Sequence, residues 1–189
     1  LSPGIHGAYE QGVARISNSS KVREAAQGQV DKSPNQCRAG LFITTAEDFL
    51  NESELQEEVF GATSLIIECA DQNDVRRVAE QLEGQLTITL QLDDGDLPAA
   101  RVLMPIVERK AGRVLANGWP TGVEVCHSMV HGGPYPATSD TRTTSVGSAA
   151  IFRFLRPVCY QALPEVLLPE PLKDSNPWQV SRLVDGKRE

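Results

Sequence analysis

The sequence predicts an α/β fold built on a mostly parallel sheet of βαβ units. Short aliphatic runs recur as strand signals: Leu41-Phe42-Ile43, Leu65-Ile66-Ile67 and Leu86-Thr87-Ile88-Thr89-Leu90. Apolar residues at helical spacing lie between the second and third runs, at Val75, Val78, Ala79 and Leu82, and after the third, at Ala100, Leu103, Met104, Val107 and Ala111. The links are short, and strand–helix–strand order with short links builds right-handed crossovers between parallel strands.

Each element has a local reason. Ser2 can cap a helix with Pro3 at its first position, where a missing N–H costs nothing, and Ile5, Tyr9, Val13 and Ile16 then share a face. Residues 18–38 are polar and read as helix end, loop and one ragged helix. Thr45 can cap a short helix carrying Phe49 and Leu50; Asp71 or Asn73 caps the following one, and Gly84 ends it. Asp93-Asp94-Gly95-Asp96 is too short for a calcium loop and lacks its terminal glutamate, so it reads as a solvated turn before the second amphipathic helix. Gly112 stops that helix, and Arg113-Val114-Leu115-Ala116 starts a fourth strand. After the irregular residues 117–142, Ser145 opens a helix with Ile151, Phe154 and Leu155, halted by Pro157. The tail, residues 157–189, leads to the alternating run Val180-Ser181-Arg182-Leu183-Val184, a partly exposed strand available for pairing between subunits. No repeat is visible, and residues 1–189 are expected to form one domain.

Bulk properties narrow the function classes. A formal net charge of −7, with no basic cluster beyond Arg76-Arg77, argues against a nucleic-acid footprint. No apolar run approaches the roughly 20 residues of a membrane span, and the Leu1-Ser2-Pro3-Gly4 start carries no secretory h-region. Cys37, Cys69, Cys126 and Cys159 form no Cys-x-x-Cys pair, which fits a reducing compartment. A cytoplasmic location is the expectation.

Two segments carry the functional signal. Glu57-Glu58-Val59-Phe60-Gly61 sets a carboxylate and an aromatic ring two residues apart before a strand. Residues 117–142 leave the C-terminal end of a parallel strand, the edge where open α/β sheets bind ligands, and contain His131-Gly132-Gly133-Pro134-Tyr135-Pro136-Ala137-Thr138-Ser139-Asp140. Read from residues alone, the first could be an acidic helix end with a core phenylalanine, and the second a glycine-rich packing loop.

In this order, the two segments resemble the C-terminal half of the aldehyde dehydrogenase catalytic domain. The Gly-Pro-Tyr-Pro-Ala-Thr-Ser-Asp run and the later Phe154-Leu155-Arg156-Pro157-Val158-Cys159-Tyr160-Gln161 are similar to the NADP-dependent branch that oxidises 2,5-dioxopentanoate (α-ketoglutaric semialdehyde). The resemblance implies that Glu58 hydrogen-bonds the nicotinamide ribose hydroxyls, that Phe60 packs near the nicotinamide, and that Trp119, Thr121 and Val123 line the aldehyde funnel. It also implies NADP or NAD as cofactor, no metal, a small aldehyde substrate and a homo-oligomer, dimer or tetramer. Ala62 stands where the family usually has proline.

The family's chemistry needs a cysteine nucleophile preceding the Glu-x-Phe-Gly motif and a glutamate base preceding that cysteine. Cys37, in Asn-Gln-Cys-Arg, lacks the family's flanking residues, and no Gly-x-Gly-x-x-Gly cofactor fingerprint is present. No catalytic residue is therefore assigned, and the isolated chain is expected to be inactive. The alternative is a non-catalytic split or truncated module that pairs with intact dehydrogenase subunits. Cys126-His127 with His131 offers too few ligands for a tetrahedral metal site. A small hydrolase using Cys126 is a third reading; against it, sequence neighbours rarely face each other as nucleophile and base.

Overall fold

A computed structural model describes residues 1–29, 34–120 and 122–189. The chain divides into two units, Leu1–Ala150 and Ile151–Glu189. In the first, helix α1 (Pro3–Asn18) begins as the sequence predicts: the Ser2 hydroxyl accepts the Ile5 N–H at 3.4 Å, and Pro3 fills the first turn. Its inward residues are Tyr9, Gly12 and Ile16. The buried Tyr9 hydroxyl donates to the Arg38 carbonyl at 2.5 Å and accepts from Thr63 Oγ1 at 3.0 Å. One phenol thus ties the helix to the approaches of two strands.

Strand β1 (Arg23–Gln27) corrects the helical reading of that polar stretch. It runs antiparallel to β2 (Gly40–Thr45), with Arg23 opposite Ile43, Gln27 opposite Gly40, and a bulge between Glu24 and Ala26. Nothing in Arg-Glu-Ala-Ala-Gln favours a strand, so tertiary pairing overrides propensity here. Strand β3 (Thr63–Glu68) pairs in parallel with β2, and β4 (Gln85–Leu90) with β5 (Ala111–Ala116). Helices α2 (Ala46–Asn51), α3 (Gln72–Gln81) and α4 (Leu97–Lys110) complete the alternation, with Thr45 and Asp71 as the N-caps. The core gathers Phe42, Ala46, Phe49, Leu55, Ile106 and Val107.

The α/β reading holds, but the sheet is not continuous. The three-stranded sheet β1-β2-β3 and the two-stranded sheet β4-β5 are separate, and no ladder joins β3 to β4.

Gly112 has a different role from the one expected. Helix α4 already ends at Lys110, and Gly112 lies inside β5, where an added Cβ would overlap the Gly132 carbonyl oxygen. It is there for close approach, not termination.

Ser145 does not open an α-helix: a 3-10 segment, Ser148–Phe154, replaces it, and none of its residues is buried. Within Ile151–Glu189, 3-10 turns Glu165–Leu167 and Glu170–Leu172 precede a short hairpin. Of the predicted strand over residues 180–184, only Leu183–Val184 (β6) forms, paired antiparallel with Lys187–Arg188 (β7). Asp185 and Gly186 sit at φ of 49° and 78°, so an Asp-Gly type I′ turn folds the run back on its own tail. Among the described residues, no helix is long and apolar enough to cross a membrane.

Candidate functional site

The Glu57-to-Gly61 segment runs without regular structure from the 3-10 turn Ser53–Gln56 to β3, and its residues divide by alternation. Glu57 pairs with Arg15 of α1 at 2.8 Å. Gly12 lies so close to the Val59 methyls that an added Cβ would stand 2.9 Å from them. The Tyr9 ring covers Gly61, whose φ of +156° and lack of a Cβ make the contact possible. Residues 57, 59 and 61 are therefore spent on α1. Glu58 and Phe60 are the alternate pair: Glu58 is exposed with no ion-pair partner among the described residues, and Phe60 is 65% exposed.

Residues 117–142 behave differently. They leave the C-terminal end of β5, but the Gly132-Gly133 stretch is not at that edge. It returns to the opposite end of the strands, where Gly84 lies against the Pro134 and Tyr135 carbonyls and Gly133 against the Gln85 carbonyl and Gly112 amide. The buried Thr144 hydroxyl accepts the His131 N–H at 2.8 Å and donates to the Val146 carbonyl at 3.0 Å. Thr138 Oγ1 donates to the Gly133 carbonyl at 2.9 Å. Farther along, Arg142 donates to Asp140 Oδ1 at 3.1 Å, and this bond holds the Asp140 carboxyl below the usual carboxylate range.

The two segments meet. A cavity of about 1000 Å³ is lined by Glu57 and Glu58 from the first, by Pro136 and Ala137 from the second, and by residues of β3 and β4 between them. The funnel candidates do not line it. Trp119 is 82% exposed, and Val123 lines a separate cavity of about 430 Å³ with Cys126, His127 and Ser148. Thr121 lies outside the described residues.

Among the described residues, no cysteine sulfur is hydrogen-bonded to a histidine or a carboxylate. Cys126 Sγ meets Ser128 Oγ at 3.7 Å, whereas His127 Nδ1 meets Ser148 Oγ at 2.5 Å. Burial, with the charges of Asp74 and Asp71, pushes the Cys69 thiol up and keeps it protonated at neutral pH. Among the described residues, no group of three or more His, Cys, Asp or Glu side chains gathers to hold a metal.

Sequence reasoning placed Tyr9 on the apolar face of α1 but missed its contact with Gly61, and missed Gly12 and Arg15, which also hold the Glu58 segment. The small residue at 12 on an otherwise apolar face was the available signal.

No protein-family model matches the chain. It is 53% identical over 189 residues, its whole length, to alpha-ketoglutaric semialdehyde dehydrogenase 2 of Azospirillum brasilense, and covers 36% of that protein. It is 48% identical over 187 residues to the alpha-ketoglutaric semialdehyde dehydrogenase of Acinetobacter baylyi, covering 98% of this chain and 36% of the relative. The chain thus spans about a third of the length of the curated relatives it matches. Among solved structures, the Delta-pyrroline-5-carboxylate dehydrogenase of Mycobacterium tuberculosis bound with NAD superposes with a TM-score of 0.62. That match, at 18% identity over 80% of this chain and 26% of the other, is a likeness of fold.

Proposed function

We propose that this chain, a fragment of the aldehyde dehydrogenase superfamily, forms part of an enzyme oxidising 2,5-dioxopentanoate to the carboxylate with NADP. The observation that carries the proposal is the alternation at residues 57–61. Three residues contact α1, and the two between them, Glu58 and Phe60, are exposed. Both fit a nicotinamide nucleoside. An ionised carboxylate accepts hydrogen bonds only, and Glu58 has room for two ribose hydroxyls. The Phe60 ring offers an open face for stacking. The bound nucleotide supplies the hydride acceptor; the chain's own residues orient it and exclude water from one side.

Identity at 53% through the whole chain supports the 2,5-dioxopentanoate assignment more directly than geometry does, because among the described residues no carboxylate-binding cation lines the cavity at Glu58. The chain by itself contributes no thiolate nucleophile and no activated base, so it is inactive alone. Trp119, Thr121 and Val123 belong to the aldehyde funnel on the family resemblance. Residues 157–189 carry the subunit-pairing strand: Leu183 is 71% exposed, and the two-residue β6 leaves pairing capacity unused.

The test is a chimera in which these 189 residues replace the matching segment of the Azospirillum brasilense relative. The chimera is expected to oxidise 2,5-dioxopentanoate with NADP, and the isolated chain is not. A chimera that folds and binds NADP but leaves this aldehyde untouched would overturn the substrate reading.

A further inference from the structure

Beyond β5 the chain is tied back to the sheet at three points. Asn117, at a φ of 52°, donates its N–H to the Leu90 carbonyl at 2.9 Å and accepts the Leu92 N–H on Oδ1 at 2.8 Å. Gln91 Nε2 donates to the Gly118 carbonyl at 3.3 Å, and Arg113 Nη1 donates to the Gly122 carbonyl at 2.5 Å. Each glycine carbonyl held in this way stands directly before a residue of the aldehyde funnel reading: Trp119 follows Gly118, and Val123 follows Gly122.

A peptide unit is planar from one Cα to the next, so a bond that fixes a carbonyl also fixes where the following Cα stands. Glycine is where such a plane turns most freely. Packing does not restrain these two. An added Cβ at Gly122 would meet nothing within 4 Å, and one at Gly118 would meet only ordinary contacts at 3.8 Å. They are the opposite of Gly112 and Gly132, and the hold on them falls to the side-chain donors. Of the two donors, Gln91 is neutral and its bond is long, whereas the bond from Arg113 is charge-assisted and short.

Arg113 is itself well placed to act as a strut. It is half-buried, stands opposite Thr87 in the β4–β5 ladder, and follows Gly112, whose contact with Gly132 pins the backbone. Its Nε is buried and makes no hydrogen bond, so the Gly122 carbonyl is the acceptor its guanidinium meets among the described residues.

We propose that Arg113 is a positioning residue for the aldehyde: from a fixed place on β5 it holds the Gly122 peptide plane and thereby sets Val123 in the funnel wall. The inference rests on the funnel reading of Val123 and is independent of the cofactor roles of Glu58 and Phe60.

The experiment has two arms. In the chimera, Arg113→Met keeps the apolar stem and removes the donors. It is expected to raise the KM for 2,5-dioxopentanoate about fivefold or more, with kcat and NADP affinity staying within about twofold. Arg113→Lys, which keeps a donor on a similar stem, is expected to recover most of that loss. In the 189-residue chain, Arg113→Met is expected to lower the 15N order parameter of the Val123 amide from about 0.85 to below about 0.6, with β4 amides unchanged. An unchanged Val123 order parameter overturns the proposal. So does an unchanged KM in Arg113→Met where Val123→Ala raises it, and so does a loss of kcat and NADP affinity along with KM, which would make Arg113 a residue of general folding. If Val123→Ala itself leaves the KM unchanged, the funnel reading fails, and the order parameter alone decides whether Arg113 holds Gly122.

Discussion

The Glu57-to-Gly61 segment and the 117–142 loop meet at one cavity and are held in opposite ways. The short segment is fastened by its side chains: a carboxylate to Arg15, a valine to Gly12, and a bare glycine under Tyr9. The residues between them, Glu58 and Phe60, are left exposed. The long loop is fastened by its backbone, with Gly132 and Gly133 pressed onto Gly84, Gln85 and Gly112. Its glycines are a steric requirement of packing. The difference teaches where to look for chemistry. In the short segment the unanchored side chains are the functional candidates, whereas in the loop the most conspicuous residues are the least free to act.

Substitutions can break this contrast, beginning with the largest effect. Gly112→Val drives a branched side chain into the Gly132 carbonyl, where neither backbone can yield. A loss of about 3 kcal/mol, roughly 10 °C in Tm, is expected by thermal unfolding. Near-neutral stability would show that the loop is not pinned at that point. Tyr9→Phe removes the hydroxyl that bonds Arg38 and Thr63 and leaves buried polar groups unpartnered. About 1–2 kcal/mol should be lost in denaturant titration. Gly12→Ala tests the short segment by sign. Helix propensity alone would stabilise the chain by about 1 kcal/mol, whereas a clash with the Val59 methyls reverses that. A net gain would mean that Val59 does not pack there.

The smallest effect belongs to a pair outside both segments. Lys21 Nζ lies 3.0 Å from Asp48 Oδ1, and its hydrogen bond, helped by that of Thr45, lowers the Asp48 carboxyl below its ordinary value. A depressed carboxylate contributes stability above its unfolded value, about pH 4, and loses it as pH falls through the folded one. Asp48→Asn should therefore flatten a shallow acid-side decline in stability measured below pH 4. An unchanged acid limb would remove this pair from the pH dependence.

Much of the fold was legible because its signals are local. Ser2-Pro3, Thr45 and Asp71 cap their helices where the sequence places them, and the aliphatic runs at Leu65 and Leu86 are strands. What escaped depends on distant partners. Strand β1 has no strand-forming residues and exists because β2 offers an edge. Gly112 reads as a helix stop until Gly132 is seen against it. The run at 180–184 reads as a strand, but Asp185-Gly186 turns it into a two-residue hairpin. At the site, the motif singles out Glu58 and Phe60 as candidates, and the contacts of residues 57, 59 and 61 with α1 appear only in the folded chain. Val123, a funnel candidate by resemblance, lines a cavity with Cys126, His127 and Ser148, a grouping that only the folded chain shows.

The most direct test of the role of the short segment is NADP affinity in the chimera carrying Glu58→Gln. This change keeps the size of the side chain, leaves every contact with α1 intact and removes the charge proposed to accept from the ribose. Binding about tenfold weaker or more, with thermal stability unchanged, is the predicted result, as charge-assisted hydrogen bonds contribute roughly 1.5–3 kcal/mol. Unaltered affinity would contradict it and leave Glu58 an ordinary surface carboxylate.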